Sequence, residues 1–92
     1  ENIFPKEIEN ILYQHPAVLE ASVIGIPDPV YGETVKAFVV LKEKEQVTDE
    51  DLMAYCRDQL PAYKRPTIIR IIDAMPKSAV GKILKRELRK LE

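Results

Sequence analysis

The sequence has few of the residues that hold disulfides or metals. Its 92 residues include one cysteine, Cys56, and one histidine, His15. A single cysteine excludes an internal disulfide, and one cysteine with one histidine offers no metal-ligand spacing. We therefore expect no metal in this domain, and the cysteine usage fits a reducing cytoplasm.

Long apolar runs are also missing. No segment approaches the roughly 20 apolar residues that a membrane span needs, so we expect no membrane span. The chain opens at Glu1 without the basic start and apolar stretch of a signal peptide. The composition, 46% hydrophobic and 32% charged, is typical of an ordinary globular protein. The length predicts one small domain.

The charge is unevenly divided, although the net charge is only -1. Residues 1–63 contain 5 Lys and Arg against 12 Asp and Glu, while residues 64–92 contain 9 against 3. Such a division indicates that the last third faces something anionic. A nucleic acid, a nucleotide and an acidic protein surface all satisfy this expectation.

Hydrophobic periodicity and the positions of proline and glycine predict six elements. Helices are expected over 4–12, from Thr48 to Pro61, and at the C-terminal end, where Leu84, Leu88 and Leu91 face the core. Strands are expected over 18–26, 34–41 and 67–72, with a loop over 27–33. Thr48 and Asp51 form a capping-box pair.

The predicted order is α-β-β-α-β-α, which is an α+β fold. Two of the strands are apolar on both faces, so a small three-stranded sheet must have helices on both sides. Cys56 is predicted to be a small core residue. His15, which closes the first helix, is interpreted as structural.

Three predicted loops place aromatic or cationic residues beside Pro or Gly: Tyr31-Gly32, Tyr63-Lys64-Arg65-Pro66 and Gly81-Lys82. Aromatic rings stack on bases and cations pair with phosphates, so together these loops could hold a nucleotide. Solvated turns are the alternative. No phosphate-binding glycine-rich loop, Ser-His-Asp set or paired carboxylates are present, which indicates at most part of a catalytic site.

Four stretches carry a family resemblance, in the same order as in the family. They are Glu1–Glu9, Gly25-Ile26-Pro27-Asp28 with Tyr31-Gly32-Glu33, Leu60–Pro66, and Pro76-Lys77-Ser78 through Gly81-Lys82 to Arg86. The chain resembles the C-terminal domain of AMP-forming acyl-CoA synthetases, in the adenylate-forming superfamily. The resemblance implies that residues 1–92 are a single mobile lid domain, with the large N-terminal domain and the hinge outside this sequence.

The resemblance also implies a two-step reaction. A carboxylate, from a fatty or other organic acid, attacks the α-phosphate of ATP bound with Mg²⁺, and CoA then attacks the acyl-adenylate. Lys82 is implied to be the catalytic lysine of the first step. A compact ammonium between two anionic reactants lowers their repulsion as charge develops.

For the second step, the resemblance implies that Tyr31, Tyr63, Lys64, Arg65 and Glu1 contact CoA or its nucleotide. Tyr31 departs from several relatives, which carry Trp there. Lys82 also resembles a class of regulatory acetylation sites, so a lysine acetyltransferase and deacetylase are implied partners.

Two other functions fit the residues themselves. One is a small basic α+β domain that binds RNA or DNA, and the other is a regulatory domain for a small ligand. The first is disfavoured because Phe38 is the only aromatic residue in a predicted strand, whereas single-stranded bases stack on several.

Overall fold

The computed structural model describes residues 3–43 and 46–91, and Glu1 lies outside these ranges. The elements in chain order are α1 (Pro5–Tyr13), β1 (Val18–Asp28), β2 (Gly32–Leu41), α2 (Asp49–Gln59), a short 3-10 helix (Ala62–Lys64), β3 (Ile68–Ile71) and α3 (Lys85–Leu88). The predicted α+β fold and its α-β-β-α-β-α order are confirmed.

The three strands form one mixed sheet in the order β1-β2-β3. β1 and β2 are antiparallel, and β2 and β3 are parallel, with Lys36 opposite Ile68 and Val39 opposite Ile71. Because β2 and β3 are parallel, both begin at the same end of the sheet. The turn that precedes β2 and the segment that precedes β3 are therefore neighbours, although more than thirty residues separate them in the sequence.

Each face of the sheet has its own hydrophobic core. On one face, α1 and α2 contribute Ile8, Leu12, Leu52 and Cys56, which pack on Val23, Ala37, Val39 and Ile69. On the other face, Met75 and Leu88 cover Ile24, Phe38 and Val40. The prediction of helices on both faces is confirmed, although the second face is covered by the segment after β3 as well as by α3.

Local sequence features explain the ends of the first two helices, and the predictions for Thr48, Asp51 and His15 are confirmed. Pro5 begins α1, where its missing N–H removes no helical hydrogen bond. Thr48 and Asp51 form the reciprocal capping box, with distances of 3.0 and 3.1 Å. His15 is structural, because its Nδ1 accepts a hydrogen bond from the Ala17 N–H at 3.0 Å and its ring stands edge-on to Tyr55.

The predicted loop over 27–33 is too long. β1 continues through Pro27 to Asp28, and β2 already begins at Gly32, so only residues 29–31 form the turn. Proline is tolerated here because β1 lies at the edge of the sheet. Asp28 accepts hydrogen bonds from the N–H groups of Val30 and Tyr31, and Gly32 has a φ of +85°, a geometry typical of three-residue hairpins.

The last helix is shorter than predicted. α3 is a single turn over Lys85–Leu88, and no side chain caps its N-terminus. Leu88 is fully buried, as expected, but Leu91 is 37% exposed. The prediction that Leu91 faces the core is wrong, because the helix ends before the turn that would carry Leu91 onto the same face.

Candidate functional site: an aromatic groove and a separate lysine hairpin

A groove of about 550 Å³ opens at the end of the sheet where β2 and β3 begin. Three segments form its walls: the residues before α1, the β1–β2 turn with the start of β2, and the segment from the 3-10 helix to β3. The lining residues are Ile3, Phe4, Tyr31, Glu33, Thr34, Val35, Ala62, Tyr63, Lys64, Arg65 and Thr67. The structure thus brings Tyr31 together with Tyr63, Lys64 and Arg65, four of the predicted site residues.

Two tyrosines provide the exposed rings of the groove. Tyr31 is 76% exposed and Tyr63 is 72% exposed. The turn before Gly32 fixes the backbone of Tyr31, whereas Tyr63 makes an edge-on contact with the Phe4 ring, with centroids 6.0 Å apart. Because most of each ring is uncovered, both tyrosines are available to a planar ligand.

Lys64 is bound by its neighbours rather than solvated. Its Nζ lies 2.7 Å from a carboxylate oxygen of Glu7, 4.9 Å from the centroid of the Phe4 ring and 5.6 Å from that of Tyr63. The hydrogen bond to Glu7 raises the pKa of Lys64. These contacts hold Phe4 and the first turn of α1 against the 3-10 helix and keep a positive charge at the wall of the groove.

Arg65 caps the C-terminal end of α2. Its Nε donates to the Leu60 carbonyl at 2.8 Å, and its Nη2 donates to the Arg57 carbonyl at 3.1 Å. The last carbonyls of a helix have no partner within the helix and carry the negative end of its dipole. Arg65 therefore has a structural task in addition to its place in the groove.

Lys82 lies on a tight hairpin between β3 and α3. Lys77 and Ile83 form an isolated antiparallel bridge, and Gly81, with a φ of +88°, closes the turn. The hairpin is joined by the hydrogen bonds from Ser78 N to Lys82 O, from Gly81 N to Ser78 O, and from Lys82 N to Ser78 Oγ. Val80 at the tip is 90% exposed, and the Lys82 side chain is also exposed.

Lys82 differs from the other lysines of the last third of the chain. Lys64, Lys77 and Lys85 pair with Glu7, Glu20 and Glu9, and Lys90, just after α3, pairs with Glu87. Among residues 3–43 and 46–91, no carboxylate lies within 4.0 Å of the Lys82 ammonium. Lys82 is thus the lysine of this region that is presented without a partner in the described part of the chain.

The ion pairs also account for part of the charge division in the sequence. Three of them join a lysine from residues 64–92 to a glutamate from residues 1–63. The acidic protein surface that the basic third faces therefore includes the protein's own α1 and β1. The arginines Arg70, Arg86 and Arg89 form no ion pair within the described residues.

The Lys82 hairpin and the groove are separate surfaces. Lys77, at the base of the hairpin, pairs with Glu20, which lies opposite Val40 near the end of β2. The groove lies at the beginning of β2, and the step from Thr34 to Val40 along a strand spans about 20 Å. The groove therefore brings together two of the three predicted loops, and Lys82 is not among the residues that line it.

Sequence reasoning missed contacts that build the groove. Periodicity predicts only that Phe4 and Glu7 belong to the first helix, whereas the structure places Phe4 against Tyr63 and Glu7 against Lys64. Thr34 Oγ1 donates to Thr67 Oγ1 at 2.7 Å and joins the starts of β2 and β3. The parallel pairing of these strands was the missing information, since it alone makes the two threonines neighbours.

The structure also bears on metals, membranes and bases. Within residues 3–43 and 46–91, no three His, Cys, Asp or Glu side chains are grouped to hold a metal, and no helix is long and apolar enough to cross a bilayer. Phe38 is fully buried, so the described strands offer no aromatic surface on which bases could stack.

A family model decides the relationship of the chain to known proteins. The model for the AMP-binding enzyme C-terminal domain matches residues 7–82. The chain belongs to this family. The match extends from Glu7 in α1 to Lys82 on the hairpin and so includes most of the groove.

Individual relatives agree with the family. The chain is 49% identical over 88 residues to a long-chain-fatty-acid–CoA ligase of Escherichia coli O6:H1, a match that covers 96% of this chain and 16% of that protein. A fatty acyl CoA synthetase of Mycobacterium tuberculosis has the same fold, with a TM-score of 0.88 and 40% identity over 98% of this chain and 18% of the other. ATP-bound MatB from Rhodopseudomonas palustris gives a TM-score of 0.91 at 32% identity, with 98% and 18% covered.

The chain spans about a sixth of the length of these relatives. It corresponds to one domain of the acyl-CoA synthetases to which it is similar.

Proposed function

We propose that residues 1–92 are the small, mobile C-terminal domain of an ATP-dependent, AMP-forming acyl-CoA ligase that acts on a fatty or other organic acid. A large N-terminal domain completes the site. The observation that carries this proposal is Lys82: an exposed ammonium on a rigid hairpin, without a carboxylate partner among the described residues, in a family of AMP-binding enzymes. The proposed location is the cytoplasm.

In the first step, Lys82 enters the site of the large domain. The substrate carboxylate and the α-phosphate of ATP are both anionic and repel each other as they approach. An ammonium between them stabilises the charge that develops in the transition state, and the flexible stem of lysine lets it follow the reacting oxygens. Mg²⁺ enters with ATP as part of the substrate in this proposal.

In the second step, the groove holds CoA. The exposed rings of Tyr31 and Tyr63 provide stacking surfaces for the adenine base, and Lys64 and Arg65 place positive charge at the wall for its phosphates. In this proposal the domain rotates between the steps, so that Lys82 serves the first step and the groove binds the CoA nucleotide in the second. Glu1, implied by the family resemblance to border the CoA site, lies outside the described residues.

Lys82 is also the proposed site of regulation by acetylation. Acetylation removes the positive charge, so it would stop adenylate formation without disturbing the fold, because the described residues make no ion pair with this side chain. Mass spectrometry of the native enzyme from cells with a high level of acetyl donor tests this. A modified peptide that contains Lys82 is the expected result, and its absence counts against regulation at this site.

The activity is tested on the full-length protein that carries this chain. Pyrophosphate release from ATP is measured across a panel of fatty acids and other carboxylic acids, followed by acyl-CoA formation when CoA is added. We expect at least one acid to support both reactions. Failure of every acid in the panel to release pyrophosphate would contradict the proposed function.

The groove is tested by removing its rings. Tyr31→Ala and Tyr63→Ala should each raise the KM for CoA about tenfold, because an aromatic ring contributes a large part of the binding energy of a stacked base. The KM for ATP and the rate of adenylate formation should not change. Tyr13→Ala is the matched control, since Tyr13 is exposed on α1 and does not line the groove. An unchanged KM for CoA in both groove variants would exclude this site.

A further inference from the structure

Two ion pairs fasten the segment that carries Lys82, one on each side of the hairpin. Before the turn, the Lys77 Nζ lies 2.5 Å from a carboxylate oxygen of Glu20 in β1. After the turn, the Lys85 Nζ lies 3.0 Å from a carboxylate oxygen of Glu9 in α1. Lys82 lies between these two ion pairs and takes part in neither.

The glutamates are the more buried partners in these pairs. The side chains of Glu20 and Glu9 are only 22% and 16% exposed, while those of Lys77 and Lys85 are about 40% exposed. The same Glu9 oxygen accepts a hydrogen bond from the Val23 N–H at 2.9 Å, which satisfies a backbone group on the open edge of β1. Held in this way, the Glu9 carboxylate directs Lys85 to one place, and the mostly buried Glu20 gives Lys77 a partner on β1.

The hairpin transmits these attachments to Lys82. The bridge between Lys77 and Ile83 and the hydrogen bond from Leu84 N to Pro76 O join the two arms, and Ile83 packs against the core of the second sheet face. Movement of either arm therefore moves the turn and the Lys82 backbone with it. The two ion pairs join this unit to β1 and α1, which are parts of the domain body.

We propose that Glu9 and Glu20 are positioning residues for adenylate formation, which hold the Lys82 hairpin in the one orientation that reaches the reacting oxygens. This inference rests on the proposed function. Neither glutamate touches substrate, and each acts through a lysine that flanks the catalytic one. A displacement of about 1 Å at a reacting group can cost as much as a hundredfold in rate, so loss of either attachment should be visible in the first step alone.

The test uses single-turnover kinetics of the full-length protein with its acid substrate. Glu20→Gln and Glu9→Gln keep the shape of the side chain, and the amide oxygen of Gln can still accept the Val23 hydrogen bond. Each variant should slow acyl-adenylate formation about tenfold and leave thioester formation from preformed adenylate unchanged. Glu87→Gln is the matched control, because it removes the ion pair between Glu87 and Lys90 at the end of α3 without releasing the hairpin; its rate should equal that of the wild type.

A charge exchange separates positioning from general destabilisation. The double variant Glu20→Lys with Lys77→Glu rebuilds the pair in reverse and should recover most of the lost rate. Equal slowing of both half-reactions, or no recovery in the exchanged pair, would overturn the positioning role. If Lys82→Ala is slow in this assay but Glu9→Gln and Glu20→Gln both react at the wild-type rate, the positioning role is also overturned. If Lys82→Ala itself forms adenylate at the wild-type rate, the proposed function is wrong instead.

Discussion

At the scale of single residues, the partner of a charge decides its role. Lys64, Lys77, Lys82 and Lys85 look alike in the sequence, where each lies beside Pro, Ser, Gly or another cation. The structure gives three of them a glutamate from the acidic part of the chain and leaves Lys82 without one among the described residues. The sequence could predict the uneven charge, but the pairing depends on which surfaces α1 and β1 present to the last third.

Arg65 provides a residue-scale prediction. Arg65→Ala should lower the free energy of unfolding by about 1–3 kcal/mol, because two hydrogen bonds from a charged group to the end of α2 are lost. Equilibrium urea unfolding measures this loss. Arg65→Lys should be intermediate, since one ammonium does not reproduce the fork that reaches both carbonyls. Unchanged stability in Arg65→Ala would contradict the capping role.

Cys56 provides a second prediction at this scale. Burial raises the pKa of the Cys56 thiol to about 11 from the ordinary value of 9.0. Between these two values the unfolded chain loses the thiol proton while the folded protein keeps it, so this group reduces stability as the pH rises from about 9 to 11. At pH 8 the fraction of Cys56 present as thiolate is about a hundredfold lower in the folded protein than in the unfolded chain. Iodoacetamide should therefore label the native protein at least about a hundredfold more slowly than the protein in urea. Rapid native labelling would contradict the buried position.

At the scale of elements, two hairpins are each closed by a glycine with a positive φ. Gly32 and Gly81 both have a positive φ and close turns that present Tyr31 and Lys82, respectively. Proline and glycine in the sequence indicated both turns, but not how far the strands continue into them. The extension of β1 through Pro27 depends on its edge position, which is a property of the sheet and not of the local sequence.

The two glycines form a matched pair for a prediction. Nothing lies within 4 Å of a Cβ added at either position, so Gly81→Ala and Gly32→Ala should each cost about 1 kcal/mol for backbone conformation alone. Only Gly81→Ala should also slow adenylate formation, because only that turn carries Lys82. Urea unfolding and single-turnover assays of both variants check this. Equal kinetic effects in the two variants would contradict the separation of the two surfaces.

At the scale of the whole molecule, local patterns predicted the fold well. The order of elements, the capping box at Thr48, the buried Cys56 and the helices on both faces all depend on periodicity or on neighbours in sequence. The groove depends on the parallel pairing of β2 and β3, and the length of α3 depends on packing after the hairpin. These features arise from contacts between distant residues, for which one sequence carries little signal.

The two functional surfaces have a consequence for the whole molecule. In the proposed enzyme this domain reorients between the two half-reactions and uses Lys82 in one and the aromatic groove in the other. The effect of a substitution should therefore depend on the surface it changes. Variants at the hairpin are expected to affect adenylate formation, and variants in the groove are expected to affect thioester formation.

Single-turnover kinetics of Lys82→Ala in the full-length protein test the central claim most directly. Lys90→Ala is the control, because it removes a lysine of the same region that pairs with Glu87 of α3. We predict that Lys82→Ala slows acyl-adenylate formation by about a hundredfold or more, while thioester formation from preformed adenylate keeps the wild-type rate and Lys90→Ala is normal in both. Equal losses in the two half-reactions of Lys82→Ala would contradict the account.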